Sequence, residues 1–525
     1  MWQTDEVVGW KYDKKGTNGM FRREFLKLTG TNIVAGMTLG VGSIIRTANA
    51  EGFAEYLKYD ALELADLVRR KEIEAGELLE AAITRIDAIN PKLNAVVTKM
   101  YDEAKKTIAK GVPNGPFMGV PFLLKDLGAS YAGVRLTNGC KLFANNVPKY
   151  DNELVKRYKR AGLVIAGRTN TPEFGLNVTT ESVFLGPARN PWNTERSTGG
   201  SSGGTAAAIA ARMVPIAHGS DGGGSIRIPS SSCGVFGMKP SRGRMPTGPD
   251  AGEIWEGLGT NHALSISVRD NAAMLDATST PEVGAPYGIP TPVRPFLKEV
   301  GTNPGMLRIA FFTKGAAEVT HPDCITAVKD AARLCESLGH TVEEAAPKLE
   351  YEPLIKAFSL IVQAHMAATL DVIGQLIGKK VAADMFEPWT WDCAEGGWRA
   401  SAAQFAATKS LINNATRTVA DFLTTYDVIL TPTLGAPPPK LGYFDTVNTP
   451  FEELLKRQFD HIPFTWLHNV TGLPAMSVPL FWNAEGLPIG VQFAGRYADE
   501  ATLYRLAGQL EEARPWKGKI PPIAL

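Results

Sequence analysis

Two neighbouring stretches decide how this chain is read: Ser197-Thr198-Gly199-Gly200-Ser201-Ser202-Gly203-Gly204-Thr205 and His218-Gly219-Ser220-Asp221-Gly222-Gly223-Gly224-Ser225-Ile226-Arg227-Ile228-Pro229. Taken alone, the first could be a flexible Gly/Ser linker. It runs straight into an Ala-rich segment, residues 205–213, which reads as a helix. Its serines and amides therefore stand at a helix N-terminus, where exposed N–H groups favour negative charge. In the second stretch, three glycines before Ser225 permit a tight turn with several N–H groups facing one point. A developing oxyanion needs such preorganised donors.

A serine nucleophile also needs a base. Gly199-Gly200-Ser201-Ser202-Gly203 matches Gly-x-Ser-x-Gly, but the elbow of that motif follows a strand. The preceding residues 193–198 are polar and are not expected to form one. Seven histidines are present. His218 lies in the glycine region and His461 and His468 near the C-terminus, and none sits in a recognisable triad pattern. The other candidate is Lys125, which ends the apolar run Gly119-Val120-Pro121-Phe122-Leu123-Leu124. An ammonium at the end of a buried strand is desolvated, which lowers its pKa toward a useful range. The alternative is a structural pair between Lys125 and Asp126.

Working outward, short apolar strands alternate with helices. The strands fall at residues 119–124, 163–167, 307–312 and 428–433. The helices are a pair within 60–90 that Pro91 stops, then 153–162, 205–213 and 323–338. This is an α/β pattern with a sheet buried on both faces. The whole chain has 525 residues, 44% of them apolar and 21% charged, which is ordinary globular usage. Lys+Arg number 55 and Asp+Glu 54, so no global field would steer nucleic acid. The five cysteines, Cys140, Cys233, Cys324, Cys335 and Cys393, show neither a disulfide framework nor metal spacing. They are expected to be buried thiols at least in part. No metal or cofactor is expected, and oligomeric state is not legible.

The N-terminus reads as a targeting segment over residues 1–50. Phe21-Arg22-Arg23-Glu24-Phe25-Leu26-Lys27 is a twin-arginine pattern, followed by a weakly apolar stretch and Ala48-Asn49-Ala50. These are the regions of an export signal for folded proteins, which places the mature chain in the periplasm. Met20 is a tidier start than Met1. If the segment were retained instead, it could anchor the protein to a membrane. The rest, residues 51–525, reads as one domain.

Several motifs together resemble the amidase signature family. They are residues 199–204, the turn at Ser225-Ile226-Arg227, Gly234-Val235-Phe236-Gly237-Met238-Lys239-Pro240, the run from Gly119 to Asp126, and Gly167-Arg168-Thr169-Asn170-Thr171-Pro172-Glu173-Phe174. Thr471-Gly472-Leu473-Pro474-Ala475 and Gly486-Leu487-Pro488-Ile489-Gly490-Val491-Gln492 extend the match to the C-terminus.

The resemblance implies an amidase signature fold: a large mixed β-sheet core covered by helices on both faces. It further implies a Ser-Ser-Lys triad with Ser225 as nucleophile, Ser201 as bridge and Lys125 as base. Gly222, Gly223, Gly224 and Ser225 would supply the oxyanion amides. Asp221 and Arg227 would brace the loop, and Gly175 would line the substrate pocket. The activity implied is hydrolysis of a small-molecule amide. Residues 189–193, 217–221 and 512–516 are most similar to the branch that acts on the cyclic dimer of 6-aminohexanoate, with His218 as its distinguishing residue. The tRNA-linked members of the family do not suit an exported chain. A lipid amidase held at a membrane and a non-catalytic binding module are the alternatives. Trp389, Trp391 and Trp398 are candidates for the pocket wall.

Overall fold

The computed structural model describes residues 56–279 and 281–525. The twin-arginine pattern, the Ala48-Asn49-Ala50 site and the choice of start lie outside them.

Two helices open the described chain, α1 (Ala61–Arg69) and α2 (Ala75–Leu93). Asp60 caps α1: its carboxylate accepts from Glu63 N at 3.0 Å, and Glu63 reaches back to Asp60 N at 2.9 Å. Pro91 does not stop α2 but sits inside its last turn, and the helix ends at Asn94 in the left-handed conformation. A proline near a helix C-terminus removes only one bond, and burial of Leu93 holds the final turn.

The apolar run 119–124 and its partner at 163–167 become β2 (Pro121–Lys125) and β3 (Val164–Thr169). Together with β1 (Val96–Lys99) they form a separate three-stranded sheet, ordered β1-β3-β2. Every residue of β2 is buried, so Lys125 ends inside the protein. Helix α3 (Glu153–Arg160) lies between β2 and β3 in the chain. It buries Leu154, Val155 and Tyr158, as its sequence pattern requires.

The large sheet has eight strands. They are β4 (Ile216–Asp221), β5 (Phe236–Lys239), β6 (Thr260–Ser265), β7 (Arg308–Phe311), β8 (Thr341–Glu344), β9 (Val428–Pro432), β10 (Ala475–Trp482) and β11 (Pro488–Gly495). Their spatial order is β8-β7-β9-β11-β10-β5-β6-β4. β7 runs parallel to both β8 and β9, and the remaining pairs are antiparallel, so the sheet is mixed.

Alternation along the strands assigns the faces. Val428, Leu430, Met476, Val478, Val491 and Phe493 enter one core. Ile429, Ala475 and Ala494 enter another. Both faces are therefore buried. The expected α/β architecture, with a large mixed sheet covered by helices on both faces, holds.

Six more helices pack around the site and the large sheet. Helix α4 (Gly203–Ala210) and α5 (Arg227–Cys233) follow the two glycine-rich stretches, while α6 (Pro322–Ser337) packs on the sheet. A long helix, α7 (Tyr351–Ile377), packs against α8 (Pro388–Arg399) and α9 (Ala402–Thr425). By length and composition α7 could cross a membrane. Its buried face, including Leu354, Phe358 and Ile361, instead enters a third core. All five cysteines are free and buried.

Candidate active site

The site is built where β2, the turn before α4 and the turn after β4 converge. Lys125 is fully buried. Its Nζ donates to Ser201 Oγ at 2.7 Å and to Ser220 Oγ at 2.9 Å. Burial pushes the amine down to about 7, with the Asp221 carboxylate pulling weakly the other way. Near neutrality the lysine can therefore exist as a free amine.

Asp126, the alternative partner, turns away. It accepts from Thr137 Oγ1 at 2.5 Å and from Thr137 N at 3.2 Å, and stands 3.9 Å from Arg168 Nε. His218 holds the strand end that presents the lysine. Its Nδ1 accepts from Lys125 N at 3.2 Å, and its Nε2 lies 3.2 Å from Asn261 Oδ1. Burial pushes the imidazole down to about 3, so it is neutral and its Nε2 carries the hydrogen.

Ser201 is buried, while Ser225 is half-buried. Both line one cavity. Ser202 N donates to Ser225 O at 3.2 Å and ties the two glycine-rich loops together. The run before Ser201, expected to be non-strand, is in fact a short strand (Asn193–Ser197) paired with Arg189–Asn190. From Asn193 to Arg196 its polar side chains alternate between exposed and half-buried before Ser197 is buried, a pattern that an edge ribbon tolerates and hydrophobic periodicity cannot find.

The loop carrying Ser225 is braced from inside. Asp221 Oδ1 accepts from Gly224 N at 2.8 Å, Arg227 Nη2 at 2.9 Å and Asn469 Nδ2 at 2.8 Å. Its Oδ2 accepts from Ile226 N at 3.1 Å and Arg227 Nε at 3.0 Å. Burial opposes ionisation of this carboxyl, but the Arg227 guanidinium overrides it and holds the group at about 2. Arg227 also donates through Nη1 to Thr465 O and to Gln492 Oε1, both at 2.7 Å. A charge so deeply buried survives because every oxygen and every edge of the guanidinium is occupied.

This bracing corrects one expectation. Gly224 was expected to offer a free amide, yet it spends its N–H on Asp221. The amides of Gly222, Gly223 and Ser225 have no acceptor among the described residues. Gly224 is needed for another reason: its φ is +133°, and an added Cβ would stand 2.5 Å from Thr465 Oγ1. Gly175 lines both cavities that reach Ser225. A Cβ built there meets Ser201 Oγ at 3.0 Å and Leu127 Cδ2 at 2.7 Å.

Ser225 and Gly175 sit where two cavities meet. One, of about 650 Å³, is walled by Phe358, Val362, Trp389, Phe451, Leu455 and Phe459. The other, of about 1010 Å³, contains Ser201, Ser220, Thr247, Asp250 and Asn261. Of the three candidate wall tryptophans, only Trp389 lines the site, with its indole N–H on Leu176 O at 2.9 Å. Trp391 and Trp398 pack on one another in a surface groove, 5.3 Å between ring centres. They stand two and nine positions on from Trp389 along α8, and a two-residue step turns a side chain to another side of the helix.

Sequence reasoning left Ser220 without a role, although it touches the amine. It also left out Asn469, Thr465 and Gln492. Gln492 stands in a motif already quoted for the family resemblance, but nothing local connects it to Asp221.

Comparison with known proteins identifies the family. The family described as Amidase matches residues 77–504. The 6-aminohexanoate-cyclic-dimer hydrolase of Paenarthrobacter ureafaciens is 37% identical over 88% of this chain and 96% of its own length. A protein of the same description from Pseudomonas sp. (strain NK87) is also 37% identical, over the same shares. A solved structure of 6-aminohexanoate cyclic dimer hydrolase complexed with substrate superposes with a TM-score of 0.85 at 36% identity, covering 89% of this chain and all of that one. A bacterial aryl acylamidase of the amidase signature family gives 0.78 at 25% identity, covering 87% and 96%. The chain belongs to the amidase signature family and is an amide hydrolase.

Proposed function

We propose that this enzyme cleaves small amides through an acyl-enzyme on Ser225, with Ser201 as the relay and Lys125 as the base. The observation that carries the reading is the buried Lys125 amine, 2.7 Å from Ser201 Oγ, behind a cavity that also holds Ser225. Neutral Lys125 accepts the Ser201 proton as Ser201 takes the proton of Ser225. Ser225 Oγ attacks the carbonyl carbon, and the free amides of Gly222, Gly223 and Ser225 receive the oxyanion. The C–N bond then breaks, and the nitrogen takes the relayed proton and leaves as an amine. Water activated by the same relay hydrolyses the ester and frees Ser225.

Likeness to the cyclic dimer hydrolases supports small linear or cyclic amides, such as the 6-aminohexanoate cyclic dimer, as substrates. The test is a panel of linear aliphatic, aryl, peptide and cyclic amides, run beside fluorophosphonate labelling. Ser225→Ala is expected to lose both turnover and label while remaining folded. Near-normal turnover in that variant would overturn the assignment. The arginine pair at Arg22-Arg23 supports export by the twin-arginine route. Arg22→Lys with Arg23→Lys is expected to leave the protein in the cytoplasmic fraction, and an unchanged periplasmic yield would reject that route.

A further inference from the structure

The two chambers that meet at Ser225 differ in charge as well as polarity. Among the described residues, no charged side chain lines the Phe358/Phe451 chamber. The second chamber carries two carboxylates, Asp221 and Asp250, and among the described residues neither chamber is lined by Lys, Arg or His. Asp221 is buried and neutralised by Arg227. Asp250 is exposed, and none of the ion pairs formed among the described residues includes it. Its carboxylate is oriented instead by two neutral donors, Ser130 Oγ at 3.3 Å and the Tyr150 hydroxyl.

The relay fixes which end of an amide enters which chamber. The nitrogen that leaves must take its proton from the Ser201 hydroxyl. Ser201 lines the Asp250 chamber and not the aromatic one. The acyl group must then lie among Phe358, Trp389 and Phe451, with the leaving amine facing Asp250. We propose that Asp250 selects the leaving group: the enzyme prefers amides of an apolar acyl group with an amine carrying a second, cationic nitrogen, and discriminates against an anionic leaving group. This rests on the Ser225–Ser201–Lys125 reading. A cation reaching Asp250 gains a partner there, whereas a carboxylate meets like charge with no cation in either lining to offset it.

The test uses three hexanoyl amides that form the same acyl-enzyme, so that differences in kcat/KM arise before it is hydrolysed. They are N-(6-aminohexyl)hexanamide, N-hexylhexanamide and 6-(hexanoylamino)hexanoate. For a partly exposed pair the cationic substrate is expected to exceed the neutral one by about fivefold, with the anionic one below neutral by a similar factor. Asp250→Asn should bring both ratios near one, and Asp250→Lys should reverse them. Ratios untouched by Asp250→Asn, or an anionic substrate preferred by the native enzyme, overturn the proposal.

Orientation is checked from the other side. Hexanoyl anilide should be cleaved faster than 6-aminohexanoyl anilide, because the acyl chamber lacks a counter-charge, and equal rates overturn the placement. Fluorophosphonate labelling of Ser225 separates the two failures. A labelled enzyme with the wrong order loses only this inference, whereas an unlabelled enzyme inert on all three amides loses the catalytic reading and this inference with it.

Discussion

Two lysines in this protein share an environment and not a role. Lys125 and Lys239 are both buried, and burial pushes each amine down to about 7. Lys239 ends β5 and donates to Pro240 O at 2.8 Å, and it lines neither chamber. Lys125 ends β2 and meets two hydroxyls, those of Ser201 and Ser220, whose residues both line the cavity that holds Ser225. A perturbed amine is therefore only half of a catalytic base. The other half is a proton donor within reach of the substrate.

Substituting each lysine with methionine is the sharpest way to break this comparison. Lys125→Met is expected to lower kcat by roughly a thousandfold, the scale of a lost proton-transfer group. Lys239→Met should cost less than about tenfold, since only the Pro240 carbonyl loses its partner. Equal losses would mean that burial of the amine matters and its neighbours do not.

The pH profile sharpens the same contrast. Protonated Lys125 cannot take the Ser201 proton, so kcat/KM should fall as the pH drops through about 7. The limb should persist in Lys239→Met, and its loss there would assign the titration to the wrong lysine. In stability the two should behave alike. Between about 7 and the ordinary lysine value of 10.5, the unfolded chain holds a proton that the folded chain lacks, so stability rises with pH across that window. Each methionine variant should remove one share of that slope, as denaturant titrations at pH 7 and 10 would measure.

Arg227 gives a mainly structural contrast. Arg227→Ala leaves Asp221 charged and uncompensated in the interior, and a loss of about 3–5 kcal/mol of stability is expected from urea unfolding. Ser220→Ala, the mildest change, removes one of the two hydroxyl contacts of the Lys125 amine. A loss of about 1 kcal/mol, or roughly fivefold in kcat, is expected. No change would show that Ser201 alone positions the amine.

Much of this was legible in the chain. Lys125, Ser201, Ser225 and Gly175 stand in motifs whose order is specific; the structure brings Ser201, Ser225 and Gly175 to one cavity and sets the buried Lys125 amine against Ser201. The alternating strands were legible because hydrophobic periodicity reports burial. The strand Asn193–Ser197 escaped because it is polar, and the last turn of α2 because Pro91 sits where a proline is tolerated. The brace of Asp221 escaped too, since Asn469 and Gln492 lie more than two hundred residues away and no local pattern ties them to it.

The sequence by itself determined the chemical parts: two serines, one lysine, and glycines whose missing side chains leave room for a close backbone turn. The tertiary structure alone decided how those parts are charged and which are free. It removed water from Lys125, sent Asp126 to Thr137 and spent the amide of Gly224 on Asp221. It also brought an apolar chamber and one carrying Asp250 together at Ser225. The physical reason is that the energy of a charge depends on everything packed around it, and most of what surrounds Lys125 and Asp221 arrives from distant parts of the chain.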